Sequence, residues 1–403
     1  MTALEELYYD LHAHPELSFA EHRTAGVVAD GLTALGLDVT EGIGGTGVVG
    51  VLANGNGPTV LLRADMDGLP VTEETGLPYA STQTVVDEHG HEVGVMHACG
   101  HDIHITCLIG AVERLIETRS EWSGTVVALF QPAEEHGGGA RVMVEDGLYE
   151  KVPKPDIVLG QHVAPYPAGI VGAHSGPAMA AVDAMDVTMF GRGGHGSRPE
   201  TTIDPVVMAS ATVMRLQGVV SREVAAFDPA VVTVGFVSAG TKSNIIPAEA
   251  TLGISIRSFS DPVRERVVGA VERIVRSEAQ ASGATREPEF SVTEAYPVTV
   301  NDPDATERTN NAFRAAFGDD RVFDPGLIAG SEDVGNLATA AGVPLVYWFL
   351  GGADPAAYAA AEAAGTLDTD IPSNHSPFFA PLPQPTIDAG VDALVVAARE
   401  WLG

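Results

Sequence analysis

Thr59-Val-Leu-Leu-Arg63-Ala-Asp65-Met-Asp67-Gly-Leu-Pro70 carries an apolar strand straight into two carboxylates. A short apolar run without polar alternation reads as a strand covered on both faces, and such strands belong to sheets flanked by helices. The neighbouring sequence agrees. Strands of the same β-branched character are predicted at Gly47–Leu52, Gly124–Phe130 and Asp156–Gly160. Between them, Leu4, Leu7, Tyr8 and Leu11 recur at helical spacing, as do Val27, Val28, Leu32 and Leu35 ahead of Gly36, a C-cap signal. The expected fold class is α/β, a mixed sheet with helices on its faces.

From Ala181 the rhythm changes to strand (Asp183–Phe190), helix (Asp204–Arg222), strand (Ala230–Val237), strand (Ala250–Ser258), helix (Pro262–Ala281) and strand (Glu289–Ala295). That order is a split βαβ pair, which folds as a ferredoxin-like four-stranded sheet with two helices on one face. Residues 181–293 therefore read as an inserted lid and dimerisation domain. Residues 1–180 and 294–403 read as the catalytic domain, closed by a helix at Asp304–Phe317, a strand at Pro344–Leu350 and a helix at Asp388–Trp401. The Ala-rich stretch Pro355–Gly365 reads as a surface helix or loop.

Composition excludes several classes. The 403 residues are 45% hydrophobic, enough for a large core, and 54 acidic against 22 basic residues leave a formal charge of −32. Such a surface repels nucleic acid phosphates and anionic lipid heads. No apolar run reaches the length of a membrane span, and the acidic stretch Met1 to Asp10 has no basic region before an apolar one, so a cytoplasmic location is expected. Two cysteines cannot form a disulfide framework, which implies a reducing compartment; Cys107, within the apolar run Ile105 to Ile109, reads as packing.

Five places put metal-binding side chains at strand ends or turns, where α/β enzymes keep their sites. Besides Asp65 and Asp67, Met96-His97-Ala-Cys99-Gly-His101-Asp102-Ile-His104 packs three imidazoles and a thiol into nine residues. Cys99 and His101 can reach one ion if the backbone turns sharply at Gly100. Gln131-Pro-Ala-Glu134-Glu135 offers two carboxylates that point in different directions, and His162 and His375 follow in Gly160-Gln-His162 and Ser373-Asn-His375. Taken singly, each would be an ordinary turn carboxylate or a hydrogen-bonding histidine. Taken together, Cys99, His101, Glu135, His162 and His375 supply the donors a pair of divalent ions needs, leaving Glu134 as general base for hydrolysis of a carboxamide.

At this point the chain resembles the amidohydrolase branch of the dinuclear metallopeptidases, the group that holds hippurate hydrolases, indole-acetyl-amino-acid hydrolases and N-acyl-amino-acid deacetylases. The likeness runs from His12-Ala-His14-Pro-Glu16-Leu17 to Asn374-His375-Ser376-Pro377 and rests on the motifs above. It implies metal binding by Cys99, His101, Glu135, His162 and His375, with Cys99 in place of a bridging carboxylate. The wider family's strand-end His is absent at Asp65; His101 takes over for it, Asp67 supports a ligand, and Glu134 is the base. The motif Gly191-Arg-Gly-Gly-His195-Gly-Ser-Arg-Pro199 resembles the family's lid, whose His steadies the carbonyl oxygen across a dimer. Asn244 and Arg257 match positions that bind the substrate carboxylate.

The resemblance implies a metal-dependent amidohydrolase that takes a small N-acyl amino acid, holds two zinc or manganese ions, with cobalt or nickel also compatible, and works as a homodimer or homotetramer. Glu200, His136 and Val334 depart from the branch's usual residues and bear on substrate choice. Three alternatives stay open: a metallo-exopeptidase of the same family, a cysteine hydrolase with Cys99 as nucleophile and His101 or His104 as base, and a non-catalytic binder of small acids.

Overall fold

The apolar runs pair into a seven-stranded sheet in the computed structural model, which describes residues 2–86 and 90–403. Met1, at the head of the expected acidic stretch, lies outside them. In chain order the first part supplies α1 (Ala3–Ala13), α2 (His22–Ala34), β1 (Asp38–Ile43), β2 (Gly47–Asn54), β3 (Thr59–Asp65), α3 (His101–Glu117), β4 (Gly124–Gln131), β5 (Ile157–Pro167) and β6 (Val171–Gly172). The middle supplies β7 (Ala181–Phe190), α4 (Pro205–Glu223), β8 (Ala230–Ala239), β9 (Glu249–Ser258), α5 (Asp261–Ala281) and β10 (Glu289–Tyr296). The last part adds α6 (Pro303–Phe317), β11 (Leu345–Ala353) and α7 (Pro383–Trp401). The Ala-rich stretch forms a helix, Pro355–Ala364.

Two compact units result. The first comprises Met1–Gly176, Val300–Gly326 and Asp333–Gly403. Its sheet runs β1-β2-β4-β3-β5-β11-β6. The central strands β4, β3, β5 and β11 are parallel, so Gln131, Asp65, His162 and Gly351 all lie toward the edge of the sheet at which the carboxyl ends gather. Helix α3 packs on β3 and β5 between α1 and α7, and is buried at every residue from His101 to Val112. Ile103, Leu108 and Val112 join Leu11, Leu62, Phe130, Trp348 and Leu394 in one core, where each such side chain contributes about 2 kcal/mol by leaving water.

Local signals set the element ends. Thr2 and Glu5 form a reciprocal capping box at the start of α1, and Gly36, at φ 82°, ends the second helix as its position predicts. Some ends depart from expectation: α7 begins at Pro383, β11 runs on to Ala353, and β5 differs most. Strand β5 does not stop at Gly160 but continues to Pro167, because β11 pairs with it along that whole length. Gly160 is there for close packing: a Cβ would sit 3.0 Å from the Tyr347 ring.

The second unit comprises Pro177–Thr299 and Leu327–Glu332. Its antiparallel sheet runs β8-β9-β7-β10, with α4 and α5 over one face. Alternate residues Leu252, Ile254 and Ile256 of β9 and Met185, Val187 and Met189 of β7 meet those helices, while Thr251, Ser255, Asp186 and Thr188 line the opposite face. Residues 327–332, which the sequence boundaries leave in the other part, return to this unit because Ala180 donates its N–H to Ile328 and Gly330.

Candidate metal centre

Gly100 holds φ 80°, and a Cβ there would come within 2.4 Å of Val163 Cγ1. Only glycine fits such a turn, which sets Cys99 just before α3 and His101 in its first turn. The two side chains converge at the carboxyl edge of the sheet. One donor atom each from Cys99, His101 and His162 lie within 4.8 Å of one another, and the same holds for Cys99, Glu135 and His375, and for His101, Glu134 and Glu135. Cys99 belongs to the first two groups, which is the arrangement two cations sharing a thiolate require.

Hydrogen bonding separates donors from supports. His162 donates Nδ1–H to the Val163 carbonyl at 2.8 Å, which turns the Nε2 lone pair toward Cys99 Sγ, 3.4 Å away. His375 sits at φ 69°, with its N–H on the Ala98 carbonyl and its Nε2 3.2 Å from Glu135 Oε1. His101 is fully buried, yet neither ring nitrogen makes a hydrogen bond with a described residue, nor does the buried Glu135 Oε1. Buried polar atoms without a hydrogen bond are rare, and here His101 Nε2 and Glu135 Oε1 lie 3.9 Å apart in a space lined by thiol, imidazole and carboxylate. The donor set fits two divalent ions.

His104 differs. Its Nε2 accepts the Val163 N–H at 2.8 Å, so its Nδ1 carries the proton given to Asp65 Oδ1 at 2.5 Å. With both nitrogens engaged it can serve neither as ligand nor as base. Asp65 also accepts from the buried Arg63 at 2.6 Å. Asp67 binds the backbone N–H groups of Glu134 (3.1 Å) and Glu135 (3.0 Å), accepts from Ser18 Oγ at 2.7 Å, and lies 3.3 Å from His101 Nδ1. Asn374, which the sequence reading passed over beside His375, donates to the carbonyls of Cys99 and Val163 and lies 3.7 Å from Cys99 Sγ.

Electrostatics favour a cation. Burial works against charge on His101, but Asp65, Asp67 and Glu135 outweigh it and raise its pKa to about 10. Burial pushes the Cys99 thiol well above its usual value, and Glu135, Glu134 and Asp65 push it further. Such a thiol is no nucleophile at neutral pH, and a divalent ion is the agent that ionises it in place.

His195, Asn244 and Arg257 lie in the second unit. Gly194 and His195 pair with Ile246 and Ile245; the exposed His195 accepts at Nδ1 from Ser197, and the Asn244 carbonyl accepts the Gly196 N–H. Arg257, on β9, donates to the Ala329 carbonyl. Of the three departures, Glu200 lies 3.5 Å from Arg198 Nε on the surface, Val334 is buried, and His136 meets the Phe19 ring at 5.7 Å between centroids.

Residues 61–372 match the profile of peptidase family M20/M25/M40. The chain belongs to that family. It is 39% identical to a hippurate hydrolase of Campylobacter jejuni over 82% of this chain and 84% of that one. Thermostable carboxypeptidase 2 of Saccharolobus solfataricus is 38% identical over 85% and 84%. Among solved structures of the M20 family, the Bacillus subtilis YXEP protein, described as a dinuclear metal-binding peptidase, superposes with a TM-score of 0.76 at 29% identity, covering 99% of this chain and 98% of that one.

Proposed function

We propose that this M20 chain is a metal-dependent amidohydrolase that splits N-acyl amino acids into a carboxylic acid and a free amino acid. The observation that carries the reading is Cys99 standing in two donor groups at once, with Glu134 close to one member of each, His101 and Glu135. Cys99, His101, Glu135, His162 and His375 would hold two divalent ions, zinc or manganese by the mixture of thiolate, imidazole and carboxylate donors. Bound there, the ions supply Lewis acidity toward a carbonyl and make water in the site easier to deprotonate. Glu134 removes the proton from the attacking water and delivers it to the departing amine, while Asp67 fixes the backbone that aims it. By their motifs, His195 is assigned the developing oxyanion, and Asn244 and Arg257 the substrate carboxylate. Support for the substrate class comes from the likeness to hippurate hydrolase.

The chain is also proposed to act as a homodimer through the second unit. Strand β8 is a sheet edge, and Val231 and Val237 on it, with Val207 and Met214 on the adjacent α4, are exposed. No described helix is long and apolar enough to cross a membrane.

Glu134→Gln tests the mechanism: turnover should fall at least a thousandfold while two metal ions per chain remain bound. Retained turnover would remove Glu134 from the role. The 38% identity to a carboxypeptidase favours a second reading, release of a peptide's C-terminal residue. Release assays on N-acetyl, N-benzoyl and dipeptide substrates separate the two.

A further inference from the structure

Three described non-glycine residues hold positive φ: Phe19 at 61°, Ala133 at 50° and His375 at 69°. A side chain disfavours that region, so each needs something to hold it. His375 is held by its bond to Ala98. Phe19 and Ala133 lie 114 positions apart, yet both give their N–H to one atom: Glu21 Oε1 accepts from Phe19 at 3.0 Å and from Ala133 at 2.8 Å. The other oxygen accepts from Thr46 Oγ at 2.5 Å.

Glu21 is fully buried, and no described basic side chain pairs with it. Burial raises its pKa against the pull of these hydrogen bonds. It stands at the N-cap of α2 but its side chain makes no capping bond; Glu16 does that instead, accepting the N–H groups of Arg23 and Thr24. An uncompensated carboxylate is expensive to bury, so capping does not explain it. What the side chain reaches is the peptide just before Glu134. Asp67 joins the same two segments from the other side, through Ser18 and through Glu134 and Glu135.

We propose that Glu21 is a positioning residue for Glu134, locking Ala133 in its left-handed conformation so that the next side chain points at the reacting water. The proposal rests on the reading of Glu134 as general base. Glu21 touches neither substrate nor metal; it acts through the backbone of residue 133.

The test compares Glu21→Ala, Glu21→Asp and Glu21→Gln with wild type and Glu134→Gln, measuring kcat, KM and metal content on one N-acyl amino acid. Glutamine keeps a carbonyl oxygen for both N–H groups and an amide N–H for Thr46, so its kcat should stay within about tenfold of wild type. Alanine and aspartate lose that reach. Their kcat should fall about a hundredfold with KM changed less than threefold and two metals retained, the scale expected when a catalytic group is misplaced by about an ångström. If alanine does not fold, aspartate against glutamine gives the same comparison. Wild-type kcat in Glu21→Asp, or loss of metal in step with activity, would overturn the positioning role. If Glu134→Gln keeps its activity, the base assignment fails instead, whatever the Glu21 variants do.

Discussion

His101 and His104 face the same carboxylate from one turn of α3, and hydrogen bonding divides their roles. His101→Ala removes a donor that makes no hydrogen bond within the described residues and only charge contacts with Asp67 and Asp65, so bound metal should drop below two per chain with the fold intact. His104→Ala leaves Asp65 Oδ1 and the Val163 N–H without these partners in the core, and should lower stability by about 2 to 4 kcal/mol in urea unfolding. Equal loss of metal and equal unfolding in both variants would contradict this division. Stripping the ions with a chelator should abolish turnover, and iodoacetamide should not inhibit the loaded enzyme, since a cation there occupies the Cys99 sulfur, while in the stripped protein burial holds the thiol well above its usual pKa. Protons and cations compete for these donors. Because the empty site raises His101 to about 10, metal affinity should fall as pH is lowered from there, seen in equilibrium dialysis as metal lost at a higher pH than an imidazole of ordinary pKa would give. Most of the donors that the fold gathers were conspicuous in the chain, as cysteine, histidine and glutamate at strand ends. The supporting residues were not: Glu21, Ser18 and Asn374 reach partners distant in sequence, which no local pattern announces.

Elements were legible where burial is one-sided. The strands and helices of the second unit alternate or recur with a clear period, and they form where their pattern places them. Helix α3 gives no such signal because it is buried on every side from His101 to Val112, which erases the 3.6-residue period. Strand β1 escaped for the opposite reason, being a largely exposed edge strand. How α3 is fixed suggests a measurement. His12 of α1 lies between Asp102 of α3 at 2.6 Å and Glu73 at 3.1 Å, all three side chains buried. Burial opposes its charge, but the two carboxylates raise its pKa from 6.5 to about 10 and are themselves lowered. A raised histidine stabilises the folded state fully below 6.5 and loses that contribution as pH climbs through 10. The lowered carboxylates contribute above their ordinary range and lose it on acidification. His12→Ala should therefore cost about 3 to 5 kcal/mol near neutral pH, and the penalty should shrink toward pH 10. A pH-independent penalty would mean that the clamp is held by packing, not by charge.

At the scale of the whole molecule, a chain with 32 excess negative charges has to bring copies together against its own repulsion, so any self-association must run through surface that carries little of that charge. In the second unit such surface exists where β8 and α4 expose Val231, Val237, Val207 and Met214 beside the unpaired backbone of a sheet edge. A soluble protein with a bare apolar edge strand invites uncontrolled pairing, whereas a closed two-fold contact covers the edge and ends the association. Sedimentation equilibrium should accordingly give twice the chain mass at physiological salt. Met214→Asp combined with Val237→Lys places opposite-signed charges at separate points of this surface, and each would be buried by the contact; the double variant should sediment as a monomer with its metal content unchanged. A wild-type monomer, or a double variant that still pairs, would move the contact elsewhere.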